Sequence, residues 1–221
     1  MSPWFDTFER MLRARGGLLE VAASLTIGTC VATVFAAVLV NFLSCRQAKG
    51  IKRERKSIVA TGTMTAFFLV FYIVIRLRIG ELAIPASWAR ISMVVAGLIV
   101  IVFGCVVNVL GRLQLGQNWA NQATIYREQK LVTSGVYGWV RHPLYASLIW
   151  MFFGASLVYA NVTAFLLNGL VFVPFMAYRA RLEEALLTAE FTDYSDYRRR
   201  VGLFFWKPGL LPKEAYRKGK T

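Results

Sequence analysis

The amino-acid sequence predicts an all-α fold, a polytopic integral membrane helical bundle of about five transmembrane helices. Hydrophobic residues make up 57% of the 221 residues, which is above the share of roughly 45–50% in soluble domains. The charged residues lie in blocks between long apolar runs rather than along them. The apolar residues are therefore concentrated in segments that a bilayer can accept.

Composition excludes several classes of function. The three cysteines, Cys30, Cys45 and Cys105, show no CxxC spacing, which excludes a disulfide scaffold and a cysteine zinc cluster. His142 is the only histidine in the sequence, so no metal site built on several histidines is expected. The net charge of +14 is high, but the basic residues flank the apolar runs, as the positive-inside rule requires. We therefore expect no nucleic-acid partner, and the oligomeric state stays open.

The N-terminus precedes the first apolar run and is amphipathic. Apolar residues recur at helical spacing between positions 4 and 12, with acidic and basic residues between them, and Gly16 and Gly17 follow. This pattern predicts a short helix in the membrane interface. A poorly ordered terminus is the alternative.

Five apolar runs follow. A helix needs about 20 residues to cross a hydrocarbon core of roughly 30 Å, and the first three runs approach or reach that length. The last two are shorter, roughly 24 Å each, and only a turn at Asn161 separates them, so we expect a C-terminal helical hairpin. The runs cover residues 18–43, 57–75, 91–110, 144–159 and 162–178.

Loop charges set the expected orientation. Residues 46–56 carry six basic residues against one acidic residue, which places that loop in the cytoplasm. Alternation then puts the 76–90 loop outside and the 112–141 connector inside, and the hairpin returns the basic tail from 179 to the cytoplasm. With five crossings the N-terminus lies outside.

The third apolar run contains a stripe of small residues. Gly97, Gly104 and Gly111 are seven residues apart, and Asn108 shares their helical face. Small residues allow helix backbones to approach closely in lipid. We therefore expect this face to pack against another helix rather than to form a ligand groove.

The connector between the third and fourth runs is too polar to cross a membrane and too long for a routine helix–helix connection. Gly135 and Gly138 permit tight turns, and Pro143 suits the first turn of the next helix. Arg141 and His142 then lie at a helix start, where the positive helix end can hold an anionic group.

A second polar stretch begins just after the last apolar run. Glu183 and Glu184 are adjacent, so their side chains cannot both point the same way. One carboxylate can face solvent or a basic partner while the other points inward. A solvated helix start with local ion pairs is the alternative.

These two stretches together contain an ordered set of motifs. Residues 131–137 read LVTSGVY and 141–145 read RHPLY; Glu183-Glu184 follow, and then Tyr194, Tyr197, Arg200 and Val201. This set resembles the isoprenylcysteine carboxyl methyltransferase family of integral membrane enzymes and the related phospholipid N-methyltransferases. The resemblance covers residues 112–208. It suggests a division into 1–111, with the interfacial helix and three spans, and 112–221, with the methyltransferase core.

The resemblance implies S-adenosylmethionine as the cofactor, bound in a cytoplasmic pocket between the connector and the C-terminal segment. It also implies that Arg200 holds an acceptor carboxylate, with Glu184 and His142 as further catalytic residues. If the acceptor needs a general base, His142, Glu184 or a tyrosine could serve. The cofactor-binding residues that the motif implies are Lys130, Leu131, Val132, Gly135, Tyr137, His142, Pro143, Tyr145, Glu183 and Glu184.

The sequence departs from the family pattern at three places. Val136 stands where the family often has proline, which predicts a less rigid turn. Ser147 stands where the family has glycine, which is expected to narrow the approach of a neighbouring helix. The spacing from Phe191 to Tyr194 is one residue short, which bears on the alignment of Arg200.

We therefore expect a membrane methyltransferase that carries out carboxyl O-methylation of an isoprenylcysteine-like or other lipophilic acceptor. Its partners would be the lipid bilayer and a lipophilic small molecule or a lipidated acceptor. Three alternatives stay open. They are a phospholipid N-methyltransferase, a membrane reductase of the sterol-reductase type that uses NADPH, and a lipid-binding or scaffold protein without enzymatic activity.

Overall fold

The computed structural model describes residues 17–45, 51–55, 58–84, 88–116, 123–126 and 130–207. The interfacial helix expected between positions 4 and 12 lies outside these residues. The helices are α1 (Leu18–Cys45), α2 (Ile58–Arg76), α3 (Trp88–Leu115), α4 (Pro143–Val158), α5 (Val162–Leu167), α6 (Val173–Glu190) and α7 (Tyr194–Arg200).

The helices confirm the expected membrane bundle. Within the described residues, Leu18–Asn41, Trp88–Leu115 and Val162–Glu190 are long and apolar enough to cross a bilayer, and Gly62–Arg76 and Pro143–Val158 are shorter apolar helices. Many large apolar side chains on α1 and α3 point outward, as expected for surfaces that contact lipid. The chain is an integral multi-pass membrane protein.

The second helix of the hairpin is longer than the apolar run that predicted it. α5, a π-helical turn at Asn168–Phe172 and α6 follow one another without a break and end at Glu190, not at position 178. Residues 179–190 are rich in alanine, leucine, arginine and glutamate, which are strong helix formers. The loss of hydrophobicity therefore ends the membrane-crossing part without ending the helix.

Two short strands join the helices. β1 (Ile51–Arg55) and β2 (Ala123–Tyr126) pair in antiparallel fashion, so the α1–α2 and α3–α4 connectors lie on one side of the bundle, which we call the near side. Glu81 forms a bridge with Asn161, so the α2–α3 connector and the hairpin turn lie together on the opposite, far side. This grouping agrees with the alternation expected from the loop charges.

The glycine stripe on α3 packs against α4, as expected. A Cβ atom at Gly97 would lie 2.6 Å from the carbonyl oxygen of Gly154, and one at Gly104 would lie 2.9 Å from that of Ser147. Backbones this close leave no room for a side chain. Asn108, on the same face, donates to the Ser147 hydroxyl oxygen at 2.7 Å. Ser147 therefore joins the two helices through a hydrogen bond.

An aromatic cluster fixes α2 against the rest of the bundle. The Phe67 ring of α2 stacks on Phe172 with centroids 4.4 Å apart, and its edge meets Phe152 of α4 at 5.2 Å. Phe71, one turn further along α2, lies 4.5 Å from Phe152. These buried rings hold α2 beside α4, so that both helices can form walls of one cavity.

Candidate active site

A tight turn brings the connector onto the end of α3. Gly135 has φ +62, and a Cβ atom there would lie 2.2 Å from the Gln114 side chain, so the turn favours glycine for two reasons. The next residue, Val136, donates its backbone N–H to Gln114 Oε1 at 3.0 Å. A proline at position 136 could not donate this bond. The turn is thus held by Gln114 where the family pattern often relies on proline.

The chain after α7 folds back onto the residues that precede α4. The backbone N–H of Arg141 donates to Gly202 O at 2.8 Å, and that of His142 donates to Leu203 O at 3.2 Å. Tyr197 on α7 donates its hydroxyl to the carbonyl of Tyr137 at 2.6 Å. These bonds hold the backbone of the RHP segment in place, independently of the contacts that its side chains make.

Glu184 lies at the centre of a buried ionic cluster. Its carboxylate accepts from Arg141 Nε at 2.7 Å and lies 3.4 Å from His142 Nε2 and 3.4 Å from Arg198 Nε. The Glu184 side chain is only 3% exposed. Arg141 also donates to the carbonyl of Arg198 at 2.8 Å, which ties α4, α6 and α7 together. Glu184 therefore holds three basic side chains together, and its part in catalysis stays a prediction.

Glu183 points the opposite way, into the interior cavity described below. It accepts a hydrogen bond from the Tyr145 hydroxyl and lies 3.6 Å from His142 Nδ1, yet 26% of its side chain stays exposed. The structure thus separates the two adjacent carboxylates as expected: Glu184 faces basic partners and Glu183 faces inward.

His142 links these two carboxylates. It precedes the first turn of α4, with Pro143 in that turn, as the sequence predicts. Burial lowers the pKa of His142, but the hydrogen bonds to Glu183 and Glu184 outweigh burial and raise it above its ordinary value. Because both ring nitrogens face carboxylates, the geometry favours a positioning role over a direct contact with an anionic ligand.

The tyrosines behind the cluster stay protonated at neutral pH. Burial raises the pKa of Tyr137 and of Tyr197 above the ordinary value of the phenol group. A phenol with a raised pKa is a poor general base, and these two hydroxyls act as hydrogen-bond donors instead.

A cavity of about 1380 Å³ opens beside this cluster and extends between α1, α2 and α4. Single-ligand pockets usually measure about 300–1,000 Å³, so the volume suffices for a cofactor and an acceptor together. Its near end is lined by polar side chains, and its middle is lined by apolar side chains from the three helices. One cavity thus combines a polar compartment with an apolar one.

Most of the expected cofactor residues line this cavity, and three expected site residues do not. Gly135 shapes the turn, Glu184 lies behind the wall, and Arg200 is exposed, with its Nε 3.3 Å from the carbonyl of Asp196. Arg200 does not line this cavity, and its contact with an acceptor stays a prediction. The expected residues that line the cavity are Lys130, Leu131, Val132, Tyr137, His142, Pro143, Tyr145 and Glu183.

Two arginines that sequence reasoning did not assign to the site also line the near end. Arg112 is 8% exposed and donates to Asn108 Oδ1 at 2.9 Å. Arg179 lies one helical turn before Glu183, with its guanidinium carbon 5.7 Å from the centroid of the Tyr145 ring. The four-residue spacing from Arg179 to Glu183 puts both on one helical face, and that spacing was the available signal.

Comparisons with known proteins agree with this architecture. The model of the isoprenylcysteine carboxyl methyltransferase (ICMT) family matches residues 95–189. The protein-S-isoprenylcysteine O-methyltransferase of Schizosaccharomyces pombe is 35% identical over 92 residues, which cover 40% of this chain and 39% of that protein. The nickel-cobalt-cadmium resistance protein NccN of Alcaligenes xylosoxydans xylosoxydans is 25% identical over 147 residues, which cover 66% of this chain and 65% of that protein.

A solved structure of the eukaryotic intramembrane Ras methyltransferase ICMT shares the fold. It superposes with a TM-score of 0.51 at 24% identity, over 71% of this chain and 54% of that one. The chain spans less than half the length of the S. pombe methyltransferase that it matches. The matches confirm the resemblance that the motifs carry, and the family model extends it over residues 95–189.

Proposed function

We propose that this chain is an S-adenosylmethionine-dependent membrane methyltransferase that methylates the carboxylate of an isoprenylcysteine-like or other lipophilic acceptor. The single observation that carries the proposal is the composite cavity. Its polar end presents Glu183 and several basic side chains, and its apolar part extends between the membrane helices. A polar cofactor and an amphiphilic acceptor can meet there.

The residues present suit S-adenosylmethionine. Glu183 offers a carboxylate that is held by Tyr145 and still partly exposed, so it can accept from ribose hydroxyls or from the amino group. Lys130 lines the same wall and supplies a cation for the methionine carboxylate. When bound, the cofactor supplies an activated methyl group on a sulfonium.

The basic side chains at the polar end favour an anionic acceptor. Arg179 reaches the cavity beside Tyr145, and a guanidinium can hold a carboxylate through two parallel hydrogen bonds. We assign to Arg179 the contact that the family resemblance gives to Arg200. An ammonium acceptor, as in phospholipid N-methylation, would be repelled by the same arginine.

Methylation of a carboxylate requires little proton transfer by these residues. A carboxylate acceptor has no proton that must be removed before it could take a methyl group, so no general base would be required. The protein chiefly has to align the two reactants and exclude water. Glu184 and His142 then serve by holding Arg141 and Glu183 in place, and neither needs to act as a base.

The near side of the bundle is proposed to face the cytoplasm, with the N-terminus outside. The connector at 46–56 carries six basic residues against one acidic residue, and β1–β2 pairing puts the cofactor end of the cavity on the same side. The positive-inside rule then orients the protein.

Calorimetry with S-adenosylmethionine on the purified protein in lipid nanodiscs tests the cofactor assignment. We expect binding by the wild type and at least tenfold weaker binding by Glu183→Gln, since about 1.4 kcal/mol of a charge-assisted hydrogen bond is lost. Asp196→Asn is the matched control, because the Asp196 side chain is 62% exposed and pairs with Arg199 on the surface of α7. Binding of NADPH in place of the methyl donor would instead favour a reductase.

Labelled methyl donor with N-acetyl-S-farnesylcysteine tests the acceptor assignment. Arg179→Gln is expected to lower kcat/KM by at least tenfold, as expected for the loss of a hydrogen bond to a charged group, and Arg200→Gln to change it by less than about twofold. The reverse order would restore Arg200 to the acceptor site. Methylation of phosphatidylethanolamine but not of N-acetyl-S-farnesylcysteine would support the N-methyltransferase alternative.

A further inference from the structure

The far end of the cavity is also lined by polar side chains, although the proposed reaction makes no use of them. Its lining includes Glu20, Ser24, Arg78, Glu81, Arg90 and Tyr159. The Tyr159 hydroxyl shares a hydrogen bond with Ser24 of α1. The cavity is therefore apolar only in its middle.

The α2–α3 loop, which docks onto the hairpin turn, forms the polar far end of the cavity, and we call this end the floor. The backbone N–H of Leu82 donates to Ala160 O at 2.9 Å, and that of Val162 donates to Gly80 O at 3.0 Å. Gly80 has φ +75, and a Cβ atom there would lie 2.0 Å from the Thr163 hydroxyl oxygen, so the loop lies tight against the hairpin turn. The floor is thus fixed by backbone contacts.

The charged side chains on the floor already have polar partners. An apolar chain could not replace those partners. Arg90 donates to the carbonyl of Val158 at 2.6 Å, at the C-terminus of α4, where a cation is favoured. Arg78 pairs with Glu81 at 3.5 Å. An apolar chain end pressed against these groups would remove water from them without offering a hydrogen bond, which is unfavourable.

The depth of the apolar compartment follows from α4, which lines the cavity from Pro143 at one end to Val158 at the other. Sixteen helical residues rise by about 24 Å, against roughly 30 Å for the hydrocarbon core. The apolar compartment along α4 is therefore no deeper than about 24 Å.

We propose that this polar floor sets the greatest length of apolar chain that the acceptor can carry, with Tyr159 at its base and Ala155 one turn above it. The inference rests on the proposed function and adds a chain-length limit to it. The occupant is the single apolar chain of an amphiphile whose anionic head group lies at Arg179.

The chain-length limit should appear as a cutoff rather than as a gradual preference. Lipid tails are as apolar as the cavity wall, so a chain that moves from bilayer to cavity gains little for each added methylene. Once the chain is longer than the compartment, each added carbon must enter the polar floor or bend. Occupancy then falls by about tenfold or more, a difference of about 1.4 kcal/mol.

Native mass spectrometry of the protein in nanodiscs tests this directly. The nanodiscs contain an equimolar mixture of N-acetyl-S-alkylcysteines whose saturated chains differ in steps of two carbons, and the spectra report which chain lengths are bound. Ala155→Phe fills the cavity above the floor and is expected to move the cutoff to shorter chains. Tyr159→Ala deepens the cavity and is expected to move it to longer chains, a gain that misfolding cannot produce.

Two matched variants control for size and for fold. Ala22→Phe adds the same ring to the exposed face of α1 at a similar depth, and Tyr178→Ala removes the same ring from a position 57% exposed; neither residue lines the cavity. Both are expected to keep the wild-type cutoff. A cutoff that is the same in all five proteins, or no binding at any chain length, overturns the proposal.

Methyl transfer to the same compounds is measured in parallel with labelled donor. No methylated product from any compound contradicts the proposed function. The chain-length limit is judged from the bound compounds alone, so a moving cutoff without product would uphold the limit while the proposed reaction fails.

Discussion

The two ends of the cavity are closed in different ways. At the near end, Glu184 joins Arg141, His142 and Arg198, so charged side chains hold the structure together. At the far end, backbone hydrogen bonds dock the α2–α3 loop onto the hairpin turn. Side-chain networks can be broken by one substitution, whereas backbone pairing is broken chiefly by steric or backbone changes. The near end should therefore be sensitive to charge and pH, and the far end to volume.

The largest effect is expected from Glu184→Gln. Removing this charge leaves the buried Arg141 guanidinium without its carboxylate and His142 with Glu183 alone, and breaking a buried ion pair in this way costs about 3–5 kcal/mol. We expect a clearly lower thermal unfolding midpoint in nanodiscs, with cofactor binding lost as well. Asp196→Asn, at an exposed pair, should change stability by less than about 0.5 kcal/mol. Equal effects of the two substitutions would remove the contrast between buried and exposed charge.

A smaller effect is expected from Gly97→Ala, on the far half of the α3–α4 contact. The added methyl group would lie 2.6 Å from the Gly154 carbonyl oxygen, and such overpacking typically costs about 1–3 kcal/mol. Gly28→Ala on α1 is the control, because no atom lies within 4 Å of its Cβ position, and alanine there should stabilise the helix by about 0.5–1 kcal/mol. Thermal unfolding measures both, and a stable Gly97→Ala would contradict the close packing.

The smallest effect is expected from His142 as pH changes. Because the folded-state pKa of His142 is raised above 6.5, its stabilising contribution is fully present below about pH 6.5 and is lost as pH rises through the raised value. The unfolding midpoint of the wild type should therefore fall over that range. The pH dependence should be weaker in His142→Asn, and an unchanged profile would exclude this histidine as its source.

The helices were predictable because each depends on a local property. Runs of apolar residues define the spans, and Pro143 marks the start of α4. Gly97 and Gly104 indicate a close contact with another helix, although the sequence does not show which helix it is. The two-part division at 111/112 stays a prediction, and its boundary falls inside α3.

The candidate site was predicted less completely because it depends on helical phase and on long-range docking. The motif identified Glu183, Tyr145 and His142, which do come together. It did not reveal that residues 202–203 fold back onto 141–142, since no local pattern encodes that pairing. Arg179, which lines the cavity, was not singled out because the sequence does not state which way a side chain points, and the role of Arg200 stays a prediction.

One cause of that difficulty is the π-helical turn at Asn168–Phe172. The backbone N–H of Val173 donates to the carbonyl of Asn168, five residues earlier, and the Asn168 side chain donates to the carbonyl of Ile149 at 3.0 Å. A wider turn accommodates one additional residue, and each residue advances the helix by about 100°. The number of residues between the RHPLY motif and Glu183 therefore cannot change by even one residue. Deleting a single residue in this interval would leave every motif intact and still aim Glu183 and Arg179 into a different quadrant, where they could no longer serve the cavity.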